Sequence, residues 1–150
     1  MKLNFEIEID AGIDVVWRAF TNPYNMSRWV QNFASFTPRT GEPGQVGATA
    51  EIAFDEKDKR VVMLETITER RDPDFLAMSY ETDHGTTVIV NHFEAIDAER
   101  TRWTSWCRMT FTGFMRFMGL FVGGVIRKRT EGDMHRFKLM VESDLAGGNA

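Results

Sequence analysis

The sequence predicts an α+β fold in which an antiparallel sheet packs against one long C-terminal helix. Residues 2–9 alternate between apolar and polar side chains, the same alternation returns over residues 48–111, and apolar residues recur every three or four positions from Gly113 onward. A period of two is typical of a half-buried strand, and a period near 3.6 is typical of an amphipathic helix. Because a sheet with one apolar face must cover that face, the long helix is expected to lie on it.

Two short helices are predicted after the first strand. Asp14 is the expected N-cap of the first helix, because its carboxylate can accept a hydrogen bond from a free backbone N–H group. Asn22-Pro23 should end this helix and begin the second, since the residue before a proline avoids helical geometry. The second helix carries Trp29 on its apolar side.

Short turns divide the central region into an antiparallel meander of at most six strands. Turn-forming residues occupy positions 40–47, 56–59, 72–74, 83–85 and 97–100. Connections this short can join only strands that run in opposite directions.

The final helix is predicted to run for about thirty residues, from about Gly113 to Ser143. Gly123-Gly124 lies inside it, and a bend is expected there because glycine weakens a helix. Residues from about 145 to 150 are expected to form a disordered tail. The chain of 150 residues is close to the commonest domain size, so a single domain spanning residues 1–150 is expected.

The composition argues against several functional classes. The net charge is −4, and contacts to phosphates need a basic face, so a nucleic-acid partner is not expected. Cys107 is the only cysteine and can form no internal disulfide. His84, His92 and His135 lack zinc-binding spacing, and no glycine-rich phosphate loop is present, so neither a metal nor a cofactor is expected.

The sequence contains no pattern typical of secretion or of a membrane span. The N-terminus alternates instead of forming an apolar stretch, and no segment approaches about 20 uninterrupted apolar residues. We therefore expect a cytoplasmic protein without stable membrane insertion. The sequence does not decide between a monomer and a homodimer.

Two segments and the order of elements resemble a known superfamily. Residues 10–29 contain Trp17, then Thr21-Asn22-Pro23, then Trp29, and residues 100–104 read Arg-Thr-Arg-Trp-Thr. Together they resemble the START-related (SRPBCC) superfamily, which includes polyketide cyclase/dehydrase-like and birch-pollen-allergen-like proteins. The resemblance covers about residues 2–144, with Gly12 standing where many relatives have proline. It implies a helix-grip fold, with a curved sheet around the long helix and a ligand cavity between them.

The strand at residues 60–70 has two possible registers with different chemical consequences. Either the even-numbered residues 62–68 or the odd-numbered residues 61–67 face the helix, because a slip of one residue exchanges the two faces. The resemblance favours the second register, which would bury Glu65. A buried carboxylate has a raised pKa and could serve as an acid/base or as a polar anchor, whereas an exposed Glu65 would be an ordinary surface residue.

Two further polar residues share faces with apolar ones. Asn91 shares a face with Phe93, and its amide could orient a ligand or satisfy local backbone groups. Tyr80 shares a face with Met78, and its hydroxyl could point into a cavity or reach the surface from the core.

The first functional hypothesis is the binding of a small hydrophobic or amphipathic molecule, lipid-like or polyketide-like, between the sheet and the helix. Glu65, Tyr80 and Asn91 would orient it. The apolar lining would come from Trp29, Phe54, Met78, Phe93, Trp103, Phe114, Met118 and Phe121. The last three lie on the final helix, whose first half forms a cavity wall in the fold that the resemblance implies.

Two alternatives belong to other classes. An enzyme of the polyketide cyclase/dehydratase kind would use Glu65 as acid/base, with Tyr80 or Asn91 polarising a carbonyl. A protein-interaction module resembling chaperone activators would expose a patch around Trp106. Arg127-Lys128-Arg129 is interpreted as a solvated helix face, with contact to an anionic ligand or an anionic membrane surface as the alternative.

Overall fold

The computed structural model describes residues 1–148. The elements in chain order are β1 (Lys2–Ile9), α1 (Ile13–Thr21), a 3-10 turn (Pro23–Asn25), α2 (Met26–Trp29), β2 (Phe33–Thr40), β3 (Thr49–Glu56), β4 (Lys59–Arg71), β5 (Phe75–Thr82), β6 (Gly85–Asp97), β7 (Arg100–Phe111) and α3 (Met115–Ala146). The predicted order of strand, short helices, strands and long helix is confirmed. Asn149 and Ala150, at the end of the predicted tail, lie outside the described residues, and α3 continues to Ala146.

The strands form one seven-stranded antiparallel sheet in the order β1-β7-β6-β5-β4-β3-β2. The first strand pairs with the last, so β1 lies at one edge of the sheet and β2 at the other. The sequence pattern did not predict β2. Its residues lack a clear alternation and include Pro38, which an edge strand tolerates because one side of the strand makes no ladder hydrogen bonds.

The N-cap of α1 is Gly12, and the assignment of Asp14 as the cap is wrong. Gly12 has extended geometry, and its carbonyl accepts hydrogen bonds from the backbone N–H groups of Val15 and Val16. A Cβ atom at this position would lie 2.8 Å from the carbonyl oxygen of Ala98, so the close approach of two turns requires glycine. Asp14 lies in the first turn, where its charge complements the helix dipole.

The core lies between the sheet, α1 and the second half of α3. From this half Met134, Phe137 and Val141 are buried against the sheet. The turn before α1 is joined to β7 by Thr101, whose buried hydroxyl donates a hydrogen bond of 2.7 Å to the carbonyl of Ala11. This end of the molecule is therefore closed by both apolar packing and a satisfied polar contact.

The first half of α3 lies against β1 and β7 through its glycines. The side of Gly119 faces the ring of Phe111, and the side of Gly123 faces the sulfur of Met1. One turn further on, the Arg127 guanidinium lies 5.3 Å from the centre of the Phe5 ring. Because glycine has no side chain, the helix backbone lies close to the sheet edge at Gly119 and Gly123.

The expected inward orientation of Phe114, Met118 and Phe121 is wrong. Their exposed fractions are 76%, 41% and 79%. Positions 117 and 121 lie two residues from Gly119, which is about 200° around a helix, so they point away from the sheet. Within residues 1–148, no helix has the length and apolar character needed to cross a membrane.

Candidate functional site

The structure resolves the register of β4 and places Glu65 on the face that α3 covers. Glu65 lies between Ala50 on β3 and Tyr80 on β5, and Tyr80 in turn lies beside Thr87 on β6. Only 8% of Glu65 is exposed. The odd-numbered residues 61–67 therefore face inward, as the resemblance favoured.

Glu65 and Tyr80 form a hydrogen-bonded pair on this face. The Tyr80 hydroxyl donates to Oε2 of Glu65 at 2.7 Å and also lies 3.4 Å from the Met78 sulfur. Burial raises the pKa of Glu65, and the hydrogen bond from Tyr80 opposes this only in part. The pKa of Tyr80 is raised well above its ordinary value by burial and by the neighbouring carboxylate.

The Glu65 carboxyl group has no ion-pair partner among the described side chains. Within residues 1–148, Glu65 forms no ion pair and its only hydrogen bond comes from Tyr80 through Oε2. A carboxyl group in this environment can hold a proton at a higher pH than usual and can exchange it with a bound molecule. The pair can therefore act as a hydrogen-bonding anchor or as an acid/base.

Around this pair the inward face of the sheet is apolar and only half covered. Cross-strand pairing places Phe54 beside Val61, Ile52 beside Met63, Met78 beside Ile89 and Tyr80 beside Thr87. We call the half-buried members of this set, together with Glu65, the concave patch: Phe54, Val61, Met63, Glu65, Tyr80, Thr87 and Ile89. Val61, Met63, Thr87 and Ile89 were not among the predicted site residues, although alternation along β4 from Glu65 and along β6 from Asn91 could have identified them.

A charged rim borders the concave patch near Phe54. Arg129 lies 5.5 Å from the centre of the Phe54 ring and forms a 2.6 Å ion pair with Glu56. It also donates a 2.8 Å hydrogen bond to the Gln31 carbonyl. Arg129 thus has partners in two other segments, whereas the sequence pattern indicated a solvated helix face, with contact to an anionic ligand or an anionic membrane surface as the alternative.

The predicted residues Trp29, Phe93 and Trp103 lie together at the other end of the sheet. Phe93 stacks on Trp103 with ring centres 5.7 Å apart, and the centre of the Trp29 ring lies 6.2 Å from that of Trp103. Trp17, Phe20 and Phe137 complete this aromatic cluster. Phe93 and Trp103 are almost fully buried, so packing closes this end of the inward sheet face, which we call the closed end.

Asn91 uses its amide inside this cluster. Its Oδ1 accepts a 3.0 Å hydrogen bond from Nε1 of Trp103, and its Nδ2 donates to the Leu76 carbonyl at 3.4 Å. By contrast, the buried Nε1 of Trp29 has no acceptor within residues 1–148. One indole N–H group at this end is therefore satisfied by the protein, and the other is buried without an acceptor among the described residues.

The remaining predicted residues lie apart from the patch. Phe114 and Phe121 are on the outer side of α3. Trp106 lies on the outer face of the sheet, partly covered by Lys2, whose ammonium group is 4.9 Å from the ring centre. Cys107 is buried, and burial raises the pKa of its thiol, which disfavours the reactive thiolate. Within residues 1–148, no three His, Cys, Asp or Glu side chains are grouped to hold a metal ion.

Two surface depressions lie elsewhere on the molecule. One, of about 840 Å³, is bordered by residues 10–15, by the turn between β6 and β7, and by Leu145. The other, of about 290 Å³, lies between α1 and the C-terminal end of α3. Neither depression is lined by Glu65 or Tyr80. The hydrogen-bonded Glu65–Tyr80 pair lies instead on the concave face of the sheet.

A curved antiparallel sheet around a long C-terminal helix, with short helices after the first strand, defines a helix-grip protein. The chain belongs to the family described as polyketide cyclase/dehydrase and lipid transport, which it matches over residues 1–142. The resemblance to the START-related superfamily is thereby confirmed. No curated protein sequence matches the chain significantly.

Solved structures of low sequence identity share the fold over nearly their whole length. An aromatase/cyclase from Streptomyces sp. R1128 has a TM-score of 0.83 at 12% identity, covering 100% of this chain and 99% of that one. A conserved protein from Geobacillus kaustophilus has a TM-score of 0.77 at 15% identity, covering 96% and 97%. Ara h 8.0201 has a TM-score of 0.73 at 11% identity, covering 95% and 98%. At these identities the likeness shows the fold alone.

Burial of Glu65 predicts a pH-dependent difference in stability between the wild type and Glu65→Gln. Because the pKa of Glu65 is raised, the folded state keeps its proton at pH values where the unfolded state has lost it, and this contribution to stability falls as pH rises. Glutamine does not ionise, so Glu65→Gln should be more stable than the wild type at neutral pH. The difference should vanish in acid, below the pKa of Glu65 in the unfolded chain.

Urea denaturation at a series of pH values measures this difference. Glu81→Gln, on the exposed outer face of β5, is the matched control and should not reproduce it. Equal stability of the wild type and Glu65→Gln at every pH would contradict the buried position of the carboxyl group.

Replacing tryptophan by phenylalanine should lower the free energy of unfolding by different amounts at positions 29 and 103, because only one of the two indole N–H groups has an acceptor among the described residues. Trp103→Phe breaks a buried hydrogen bond and leaves Oδ1 of Asn91 unsatisfied, whereas Trp29→Phe removes an N–H group that has no acceptor within residues 1–148. Trp103→Phe should therefore lower the free energy of unfolding by about 1–3 kcal/mol more than Trp29→Phe. Chemical denaturation of both variants tests this, and a larger loss for Trp29→Phe would show that its N–H group has a partner in the folded protein.

Proposed function

We propose that this protein binds a small, mainly apolar molecule against the concave patch, with Glu65 and Tyr80 as the polar anchor. The observation that carries the proposal is the buried Glu65 carboxyl group, which accepts a hydrogen bond from the half-buried Tyr80 and has no ion-pair partner among the described residues. Burying a carboxyl group with one hydrogen bond costs stability, and a bound molecule that hydrogen-bonds to it would offset part of that cost. The family description, which includes lipid transport, supports a ligand of this class.

The hydrogen-bonding position that the Glu65–Tyr80 pair leaves unused indicates the chemistry of the ligand. Tyr80 donates to Oε2 of Glu65, and Oε1 makes no hydrogen bond within residues 1–148. With its raised pKa, the carboxyl group can donate to a ligand carbonyl when protonated or accept from a ligand hydroxyl when ionised. A neutral ketone or alcohol on an apolar frame therefore suits this site better than an anion.

Apolar contact can supply the rest of the affinity. A ligand that buries about 300 Å² of apolar surface on the patch gains roughly 7 kcal/mol before the entropy costs of binding. The Nε1 group of Trp29, on α2 at the closed end, has no acceptor among the described residues, but it is buried and would have to be uncovered before a ligand could bind it.

The binding site can be tested with a neutral aromatic ketone, 2-acetylnaphthalene, titrated by intrinsic fluorescence and calorimetry. Tyr80→Phe removes the hydroxyl that orients Glu65, and the affinity should fall by about fivefold to tenfold, the cost of one lost hydrogen bond. Tyr24→Phe is the matched control, because Tyr24 is 88% exposed and outside the patch. Unchanged affinity in Tyr80→Phe would remove the anchor role of the pair. Native mass spectrometry of protein purified from its own host would identify a co-purified ligand of a few hundred daltons.

A second candidate function is acid–base catalysis of the cyclase/dehydratase kind. The raised pKa of Glu65 favours it, and one protein of the same fold is an aromatase/cyclase. In such a reaction the Glu65 carboxylate would take a proton from the carbon beside a ketone. The resulting carboxylic acid would return that proton to the departing hydroxyl group, which leaves as water.

Catalysis predicts a substitution effect that binding does not. Glu65→Gln keeps the shape and the hydrogen bond with Tyr80 but cannot exchange a proton, so dehydration of a β-hydroxy ketone should fall by about 10²-fold or more while its binding changes little. Product formation followed by ultraviolet absorbance measures the rate, with Glu81→Gln as the control. Equal rates in the wild type and Glu65→Gln would leave the binding function as the role of the pair.

A further inference from the structure

We propose that the first half of α3 docks on an anionic lipid bilayer surface. Its outer side carries a continuous row of exposed apolar side chains, which we call the Phe ridge: Phe114, Phe117, Phe121 and Val125. Their exposed fractions are 76%, 70%, 79% and 70%. Spacings of three and four residues place them along one side of the helix.

The Phe ridge takes no part in the core or in the concave patch. The opposite side of the same helix segment lies on the sheet edge, where Gly119 faces Phe111 and Gly123 faces Met1. Since helix positions two apart differ by about 200°, Phe117 and Phe121 project away from the protein. Three exposed phenylalanines in a row are costly in water and indicate a surface that is covered by a partner.

The positive charge of the helix segment that carries the Phe ridge favours an anionic partner. Residues 113–130 contain four basic residues and no acidic residue, although the whole chain has a net charge of −4. Lys128 follows Phe121 by two helical turns and so lies on the same side. Within residues 1–148, Arg116 and Lys128 form no ion pair, whereas Arg127 and Arg129 pair with Glu131 and Glu56.

The same charge argues against a second copy of the chain as the partner. A two-fold dimer across the Phe ridge would bring this basic segment against itself, which costs electrostatic energy. A single convex row of aromatic rings also needs either a matching groove or a medium that deforms around it. The interfacial region of a bilayer is such a medium, and its anionic head groups would neutralise Lys128, on the ridge side, and the exposed Arg116, next to Phe117 at the N-terminal end of the ridge.

This inference does not depend on the concave patch, because the two surfaces share no residue. It concerns reversible docking at the interface and not insertion across the bilayer. Binding should therefore need both anionic lipid and apolar side chains, and it should weaken with salt.

Vesicle flotation of the full chain tests the proposal directly. The protein should float with phosphatidylcholine vesicles that contain about 30% phosphatidylglycerol and not with pure phosphatidylcholine, since each basic side chain near an anionic surface contributes about 1 kcal/mol. Raising the salt from about 0.05 M to about 0.5 M should reduce binding, because the charges are exposed. The double variants Phe117→Ser/Phe121→Ser and Arg116→Glu/Lys128→Glu should each lower the partition coefficient by about tenfold or more.

Matched controls lie at the far end of the molecule. Leu139→Ser changes an exposed apolar residue on the second half of α3, and Arg18→Glu reverses an exposed charge on α1. Both should float like the wild type, and thermal unfolding checks that every variant is folded. Failure of the wild type to prefer anionic vesicles, or undiminished binding by either ridge variant, would overturn the proposal. Sedimentation equilibrium showing a wild-type dimer that Phe117→Ser/Phe121→Ser dissociates would overturn it in favour of self-association.

Discussion

The structure depends on how α3 is held against the sheet. Its second half inserts Phe137 among Phe20, Trp29 and Trp103, with ring centres 5.2–5.8 Å apart. Its first half lies on β1 and β7 through glycine, which lets the backbone approach closely. A helix fixed in this way covers one side of the sheet and leaves the inward face of β3 to β6 partly open. The concave patch and the outward Phe ridge are both consequences of this placement.

The Glu65–Tyr80 pair is the feature least explained by folding alone. An apolar pair at these positions would complete the core without the cost of removing a carboxylate from water. The aromatic cluster shows the alternative solution, since Asn91 and Trp103 are buried but satisfy each other. The two polar arrangements on one sheet face thus differ: Asn91 and Trp103 satisfy each other, whereas Oε1 of Glu65 has no hydrogen-bond partner among the described residues. Groups of the second kind are typical of binding and catalytic sites.

Much of the fold could be predicted because strands with one buried face alternate strictly. Alternation alone could not decide which way Glu65 faces, because both sets of alternating residues in β4 contain apolar side chains. The outer face of the sheet also buries small side chains such as Ala53 and Ala77, so burial does not mark one face only. Strand β2 was missed because an edge strand with exposed residues leaves no such pattern. On α3, periodicity identified a shared side containing Phe114 and Phe121 but could not show which side meets the sheet. Gly119 and Gly123, spaced by four residues, were the available signal for the contact side.

The two ends of the concave face are held with unequal strength, and this affects where a ligand could enter. At the closed end, six aromatic rings are packed mainly edge to face, and separating them would expose a large apolar area. At the rim, Arg129 and Glu56 are each about 30% exposed, and an ion pair in contact with water contributes little to stability. The hydrogen bond from Arg129 lowers the pKa of Glu56, so the carboxylate stays ionised at neutral pH. Breaking the rim contacts would therefore cost less than separating the aromatic rings, and the rim lies beside Phe54 on β3, whose partner strand β4 carries Glu65.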